Sequence, residues 1–275
     1  ILSLPELYPA IENHLIPCSG AVAAHMAELI TEDQPRIKFS TSFVGHNICN
    51  MSLSAEVGEL SRLMAQMERM GAAPILNDGQ VAGNCAISPR ILQLPSIDTT
   101  DGSKHTASGP ESLAVVSMSG KPPGHLLDPS TDFVLVTNFD RALWAAEYRS
   151  RDASVRPSSD SPLLVAALAH GFDYGWSEQP AVVLHGHALA EGEGLSYATQ
   201  LGLPISPRAT LFSTPEDLAE LEALFRSHPY PQHRCYIRRG HGFFLLAGSV
   251  AEAEALFAQL VLPWLLEQQQ RQQVH

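Results

Sequence analysis

The sequence predicts an α/β or α+β domain, and two observations carry this prediction. Segments with apolar residues at helical spacing alternate along the chain with short runs rich in β-branched and aromatic residues. The composition, 45% hydrophobic and 17% charged over 275 residues, is that of a soluble globular protein with a sizeable core. A chain of this length forms one large domain or two smaller ones.

The first half of the chain predicts one helix and three strands. Residues 55–74 carry apolar side chains at helical spacing, and this pattern ends at Gly71 and Pro74. Three later segments are short apolar runs bounded by turn residues, as strands are. These predicted strands lie in residues 80–89, 112–120 and 131–140.

The second half predicts two helices followed by a strand, a turn and a strand. Residues 156–172 contain an apolar run of helical character, preceded by serine and aspartate residues suited to an N-cap. In residues 213–228, Thr214 is a predicted N-cap and Pro215 takes the first helical position. The segment 235–248 then has two apolar runs separated by a glycine-containing turn.

The chain closes with a predicted helix over residues 249–270. Ser249 and Glu252 have the spacing of a capping box, and Pro263 is expected to bend or end the helix. The glutamine-rich residues 267–275 are predicted to be a frayed helix or a tail.

Two histidines end an apolar strand in the stretch "AVVLHGHALA", and they raise the question of a metal site. His185 and His187 lie two apart, so on a strand they share a face at roughly 6–7 Å between Cα atoms and can converge on one ion. A histidine at a strand end is more often an ordinary hydrogen-bonded residue, so a third ligand and a carboxylate are required. His241, between two glycines, and Asp160, at a helix start, are the candidates. The plain alternative for Asp160 is an N-cap.

The net charge of −12 narrows the classes of partner. Nucleic acid and anionic membrane surfaces attract clustered Lys and Arg, so neither is an expected partner. A phosphorylated small molecule would have to be held locally, by backbone amides and hydroxyls.

The cysteines and apolar runs indicate a cytoplasmic protein without a membrane span. No CxxC pair is present, which argues against a zinc knuckle or a redox dithiol and predicts reduced, mostly buried thiols. No apolar stretch reaches the roughly eighteen residues needed to cross a bilayer. The cysteines are Cys18, Cys49, Cys85 and Cys235.

Six segments of the chain resemble, in order, the signature motifs of the class II aldolase/adducin family. The resemblance spans residues 56–262 and predicts a family domain over 56–275, with 1–55 as an N-terminal extension and 90–113 as an insertion. The resemblance implies a three-layer α/β/α fold with a central, mostly antiparallel sheet. It also implies a homotetramer with active sites at subunit interfaces. The segments are "GQVAGNCAIS", "SMSGKPPGHLL", "FVLVTNFD", "RPSSDSPLLVAAL", "AVVLHGHALA" and "IRRGHGFFLLAG".

The resemblance also assigns roles to individual residues. It implies that His185, His187 and His241 bind a divalent metal, expected to be Zn²⁺, and that Asp160 is the acidic catalytic residue. In members of the family that handle phosphates, three motifs bind the substrate phosphate. These motifs fall here on Gly83, Asn84, Ser119, Gly120, Ser158 and Ser159.

The implied activity is that of a zinc-dependent, class II aldolase-like lyase or an epimerase. Its substrate would be a small, phosphorylated sugar or another hydroxy-carbonyl compound, and the metal would act as a Lewis acid that stabilises an enediolate. Aldol cleavage, epimerisation and dehydration stay open, because the second acid/base has no clear counterpart. Tyr197, Tyr230 and Tyr236 are the weak candidates for it.

Two other classes of protein compete with the enzyme. A non-catalytic, adducin-like scaffold keeps the fold but loses the metal ligands, so the retained histidines argue against it. An unrelated metallohydrolase, suggested by the two histidines alone, would leave the other five motifs to chance.

Overall fold

The computed structural model describes residues 39–46, 55–76, 79–92 and 113–273. Cys18, Cys49 and most of the predicted extension and insertion therefore lie outside the described residues. Cys85 and Cys235 are free and buried, as predicted, and burial raises the pKa of each thiol to about 12.

The described residues contain a single eight-stranded sheet with the order β1-β5-β4-β3-β2-β6-β8-β7. All neighbouring strands are antiparallel except β1 and β5, which are parallel. The predicted α/β class and mostly antiparallel sheet are confirmed, whereas the three-layer arrangement stays a prediction. The strands are β1 (Ser40–His46), β2 (Asn84–Ile87), β3 (Ala114–Ser117), β4 (Phe133–Asp140), β5 (Ala145–Ser150), β6 (Val182–Gly186), β7 (Cys235–Arg238) and β8 (Gly242–Ala247).

Six α-helices accompany this sheet in the described residues. None of them is both long enough and apolar enough to cross a membrane. A 3₁₀ helix over Gly171–Tyr174 follows the second of them. The helices are α1 (Ala55–Met70), α2 (Ser161–Ala169), α3 (Gly192–Gln200), α4 (Pro215–Ser227), α5 (Val250–Leu260) and α6 (Leu262–Gln273).

Helix starts follow the predicted capping chemistry in two of three cases. Thr214 accepts a hydrogen bond from the backbone N–H of Asp217, and Ser249 accepts one from that of Glu252. Glu252 does not complete the capping box, because its carboxylate accepts from Gly248 N instead. At the start of α2, Asp160 occupies the N-cap position but its side chain makes no capping hydrogen bond.

Three elements were not predicted from the sequence, namely β1, β5 and α3. β1 lies within the predicted extension 1–55 and forms the sheet edge beside β5. The sequence of α3 contains two glycines, which weaken the helical signal, but Ala198 packs into the core and supports it. Of the two alternatives predicted for the glutamine-rich end, the described residues agree with a helix, since α6 continues to Gln273.

The core consists of two hydrophobic clusters that use opposite faces of the central strands. Along β6, Val182 and Leu184 belong to the cluster that contains residues of α1, α5 and α6, whereas Val183 belongs to the cluster with residues of α2 and α4. Successive strand side chains point to opposite faces, so His185 lies on the same face as Val183. The end of β6 therefore presents its histidines on the face where α2 and α4 pack.

Candidate metal centre

Four buried side chains meet at the end of β6. Asp160, His185, His187 and His241 each offer a ligand atom, and these atoms lie within 4.8 Å of one another. His185 is on β6 and His187 follows it, His241 comes from the turn between β7 and β8, and Asp160 directly precedes α2. The tertiary fold thus brings together the four residues that the sequence singled out, and their metal-binding and catalytic roles stay predictions.

Two glycines allow the strand ends to approach closely at this site. Gly83 has φ +91°, and a Cβ atom there would lie 2.8 Å from the carbonyl oxygen of His185. A Cβ atom on Gly242 would lie 2.0 Å from the carbonyl oxygen of Gly186. Any larger residue would push β2 and β8 away from the histidine pair.

The histidine nitrogens fit a bound cation. His185 Nε2, His187 Nδ1 and His241 Nε2 are buried and have no hydrogen-bond partner among the described residues. A buried polar atom without a hydrogen-bond partner destabilises the folded state. Three such nitrogens in one cluster therefore indicate that a ligand binds there. His185 Nδ1 lies 2.9 Å from the carbonyl oxygen of Phe243 and donates to it, which leaves the lone pair of Nε2 directed at the cluster.

Asp160 faces the same space and is held there by two side chains. Asn84 Nδ2 donates to Asp160 Oδ2 over 2.6 Å, and Ser213 Oγ donates to Oδ1 over 2.5 Å. The two carboxylate oxygens lie 3.7 Å from His185 Nε2 and 3.6 Å from His241 Nε2. The side chain is thus directed at the histidines and not at the helix backbone, so the N-cap explanation for Asp160 does not describe its contacts.

Burial and neighbouring charges set the protonation of the cluster. Burial, together with His241, lowers the pKa of His185 to about 4, and burial, together with His185 and His241, lowers the pKa of His187 well below its usual value. Burial opposes the charge on His241, but the carboxylates of Asp217 and Asp160 outweigh it and raise its pKa. Burial likewise disfavours the Asp160 carboxylate, yet His241 and His185 keep its pKa below the usual value. At neutral pH two imidazoles are neutral and one carboxylate is charged, which suits a divalent cation.

Sequence reasoning missed two residues that touch this cluster. No role was predicted from the sequence for either Ser213 or Asp217. Asp217 Oδ2 lies 2.8 Å from His241 Nδ1. Because Asp217 and His241 are distant in sequence, no spacing rule would have paired them.

The six predicted phosphate-binding residues come from three neighbouring segments. The N–H of Ser119 donates to the carbonyl of Arg156 over 2.8 Å, and Asn84 Nδ2 donates to Ser158 Oγ over 2.9 Å. Ser119 and Ser159 are exposed, whereas Asn84 and Ser158 are buried. Gly83 and Gly120 lie in the same segments as Asn84 and Ser119. The structure therefore places these segments beside Asp160, and their binding of phosphate stays a prediction.

The three candidate tyrosines are committed to packing. Tyr230 and Tyr236 belong to the hydrophobic cluster with α2 and α4, and the hydroxyl of Tyr236 donates to the carbonyl of His228 over 2.7 Å. Tyr197 is half-buried against the other cluster. Burial raises the pKa of all three hydroxyls.

The chain is similar to solved structures of the family that its motifs resemble. An aldolase II superfamily protein from Pseudomonas syringae is 16% identical, with 81% of this chain and 79% of that chain covered and a TM-score of 0.49. A sugar-phosphate aldolase from Thermotoga maritima is 13% identical (77% and 94% covered, TM-score 0.47). An L-fuculose 1-phosphate aldolase is 16% identical (75% and 82% covered, TM-score 0.43).

No protein-family model matches the chain, and no curated protein matches it. The solved structures are at most 16% identical among these three, with TM-scores below 0.5. The assignment of a function therefore depends on the geometry of the site.

Proposed function

We propose that the protein is a metal-dependent lyase or epimerase of the class II aldolase type, acting on a small hydroxy-carbonyl compound such as a sugar phosphate. One observation carries the proposal: three histidines and one carboxylate each offer a ligand atom within 4.8 Å of the others in a buried site, and each of these histidines has a buried nitrogen without a hydrogen-bond partner. Three imidazoles with one carboxylate are a donor set that Zn²⁺ accepts, and we propose Zn²⁺ as the ion.

The metal would be held by His185, His187 and His241, with Asp160 beside them. A divalent cation bound there would polarise a carbonyl oxygen and a neighbouring hydroxyl of a substrate, which is the chemistry that enediolate formation requires. Asp160 is placed to accept a proton, since Asn84 and Ser213 hold both of its oxygens towards the cluster. Burial of all four side chains keeps bulk water from competing for these groups.

Hydroxyls and amides would bind the phosphate. Ser119 and Ser159 are exposed near Asp160, and such groups suit a chain with a net charge of −12. Lys121, which follows the Ser119–Gly120 pair, is buried and forms an ion pair with Glu68. Its charge is already neutralised within the fold, which supports recognition by neutral groups.

We propose the remaining family features as part of the same assignment. Helices α1 and α2 belong to clusters that use opposite sheet faces, which supports the three-layer α/β/α arrangement. The homotetramer, the cytoplasmic location and the division into an extension (1–55) and a domain (56–275) follow from the sequence resemblance and composition.

Metal analysis followed by a substrate screen tests the proposal. Untagged protein should contain about one equivalent of divalent ion per chain, and EDTA should remove both the ion and the activity. The screen uses ketose and aldose 1- and 5-phosphates, and dihydroxyacetone phosphate with short aldehydes. A metal-free preparation that neither binds Zn²⁺ nor changes its melting temperature when Zn²⁺ is added would instead support the non-catalytic scaffold.

A further inference from the structure

We infer that Asp217, paired with Arg238, is a positioning residue that orients two members of the cluster at once, His241 and Asp160. The inference rests on the proposed function, because it assigns the cluster to metal binding. Asp217 lies in the first turn of α4, and its side chain is fully buried.

Asp217 contacts His241 directly. Asp217 Oδ2 lies 2.8 Å from His241 Nδ1, and both side chains are fully buried. A carboxylate at this distance favours a proton on Nδ1, which leaves the lone pair on Nε2. Nε2 is the nitrogen that lies 3.6 Å from Asp160 Oδ1. Neither ring nitrogen makes an aligned hydrogen bond, so Nδ1 is held by its 2.8 Å ion-pair contact with Asp217, whereas Nε2 is open to a ligand. Asp217 thus sets both the ring orientation and the tautomer that a metal requires.

Asp217 acts on Asp160 indirectly, through hydrogen bonds of Ser213 to both carboxylates. The N–H of Ser213 donates to Asp217 Oδ2 over 3.2 Å, while its hydroxyl donates to Asp160 Oδ1 over 2.5 Å. Ser213 has φ +57°, a left-handed conformation that is unfavourable for a residue with a side chain. The hydrogen bond to Asp217 helps to hold this conformation, so the same oxygen that orients His241 also fixes the hydroxyl that holds Asp160.

Arg238 neutralises the buried charge of Asp217. Arg238 Nε donates to Asp217 Oδ1 over 2.8 Å, and neither side chain is exposed. Its other nitrogens donate to the carbonyl of Arg208 and the hydroxyl of Thr210. An unpaired carboxylate would be costly at this depth. With Arg238 attached, Asp217 acts as a hydrogen-bond acceptor without adding net negative charge behind the cluster.

The substitution Asp217→Asn gives a sharp expectation. Arg238 Nε–H still requires an acceptor, so the amide oxygen should face Arg238 and the amide NH₂ should face His241 Nδ1 and the N–H of Ser213. His241 would then carry its proton on Nε2, the wrong nitrogen for a metal ligand, and Ser213 would lose its acceptor. We expect the affinity for metal to fall about tenfold to hundredfold, the range for residues that orient ligands.

The experiment measures Co²⁺ binding and its visible spectrum for the full chain, together with ¹H–¹⁵N correlations of the histidine rings in metal-free protein at pH 9. The matched control is Glu222→Gln, which alters a buried carboxylate paired with arginine on the same helix. In Asp217→Asn we expect weaker Co²⁺ binding, a changed spectrum and a proton shifted to His241 Nε2, whereas Glu222→Gln should keep the wild-type values. If Asp217→Asn does not fold, Asp217→Asn/Arg238→Met leaves no buried charge unpaired and takes its place.

A folded variant with wild-type Co²⁺ affinity, spectrum and His241 tautomer would overturn the inference. So would an equal loss of affinity in Glu222→Gln, which would reveal a general effect of destabilising α4. The NMR signal separates this inference from the proposed function. A wild-type chain that binds no Co²⁺ but holds the Nδ1–H tautomer through Asp217 would refute the metal-dependent function alone.

Discussion

Two buried carboxylates on helix α4, Asp217 and Glu222, have different surroundings, and the difference distinguishes a candidate binding site from a stabilising network. Glu222 accepts a hydrogen bond from Tyr174 over 2.9 Å and pairs with Arg141 at 2.9 Å and with Arg226 at 3.5 Å. Asp217 is also paired with an arginine, Arg238, but it contacts His241 as well. His241 Nε2, on the other side of that ring, has no hydrogen-bond partner.

The unpartnered atoms locate the site. None of the polar side-chain atoms of Glu222, Tyr174 and Arg141 is among the buried atoms without a partner in the described residues, whereas the cluster behind Asp217 contains several. A stabilising network uses up its own donors and acceptors, whereas a binding site keeps some of them for a ligand. The predictions that follow test this contrast.

The largest effect is expected from His187→Ala, which should abolish stoichiometric binding of divalent metal. Its ring lies 5.0 Å from that of His185 and 5.2 Å from that of His241, so its loss removes one of three nitrogens from the cluster. Elemental analysis and Co²⁺ titration measure the effect.

The matched control for this prediction is His125→Ala. His125 also lies beside a carboxylate, 2.6 Å from Asp132, but it is outside the cluster and should leave metal binding unchanged. If folded His187→Ala retained one equivalent of metal, the histidine cluster would not be the metal site, and the contrast between Asp217 and Glu222 would have no basis. His185 is fully buried and stacked on Phe244, so His185→Ala would also cost stability.

The next largest effect is expected from Asp160→Asn. Turnover should fall roughly 10²-fold or more, because a charged proton acceptor is lost. Stability should also fall, by about 1–3 kcal/mol, because the single amide oxygen of asparagine cannot accept from both Asn84 and Ser213. Turnover on the reacting compound and urea unfolding measure the two quantities.

Ser249→Ala provides the comparison, because Ser249 does cap its helix. Its loss should cost about 1 kcal/mol and leave turnover unchanged. Wild-type turnover in Asp160→Asn would leave the three histidines as the defensible part of the site.

Acid should destabilise the metal-free protein through the same cluster. The pKa of His185 is about 4 in the folded chain and about 6.5 when unfolded, so between these values the unfolded state binds more protons and stability falls as pH is lowered. His187 acts in the same direction. His241, whose pKa is raised, opposes this slope near and above pH 6.5, where the folded state binds more protons, and adds no slope well below that value. Each neutral histidine contributes about 1.4 kcal/mol per pH unit.

Urea unfolding in EDTA between pH 7 and pH 4.5 measures this slope. His187→Ala should reduce it by about one proton, and Glu222→Gln should leave it unchanged. A free energy of unfolding that is constant over this range would contradict the buried, neutral state of the pair.

The smallest effect on metal binding and turnover is expected from Glu222→Gln itself. We expect a loss of about 1–2 kcal/mol, because Arg141 and Arg226 are largely exposed and can be solvated when their partner is neutralised. Metal affinity and turnover should keep their wild-type values. If Glu222→Gln reduced the metal affinity but left the free energy of unfolding unchanged, Glu222 would belong to the metal site, and the proposed difference between Asp217 and Glu222 would be wrong.

Interactions between residues that are close in sequence allowed several helices and the histidine pair to be predicted from the sequence. Helical spacing over residues 55–74 predicted α1, and the caps Thr214 and Ser249 predicted the starts of α4 and α5, because these signals act within a few residues. The two histidines at the end of β6 were recognisable for the same reason, since strand geometry alone places them on one face.

Only the tertiary structure decided how these residues work together. β1 and β5 carry weak strand signals and form because they pair with each other, and β5 also pairs with β4. Asp160 was ambiguous between a cap and a site residue until Asn84 and Ser213 were seen to hold it towards the histidines. Asp217 and Ser213 gave no signal, because a left-handed φ and a contact between α4 and the β7–β8 turn depend on packing between distant segments. Spacing determines which side chains share a face, but which groups are left without partners depends on how the elements pack.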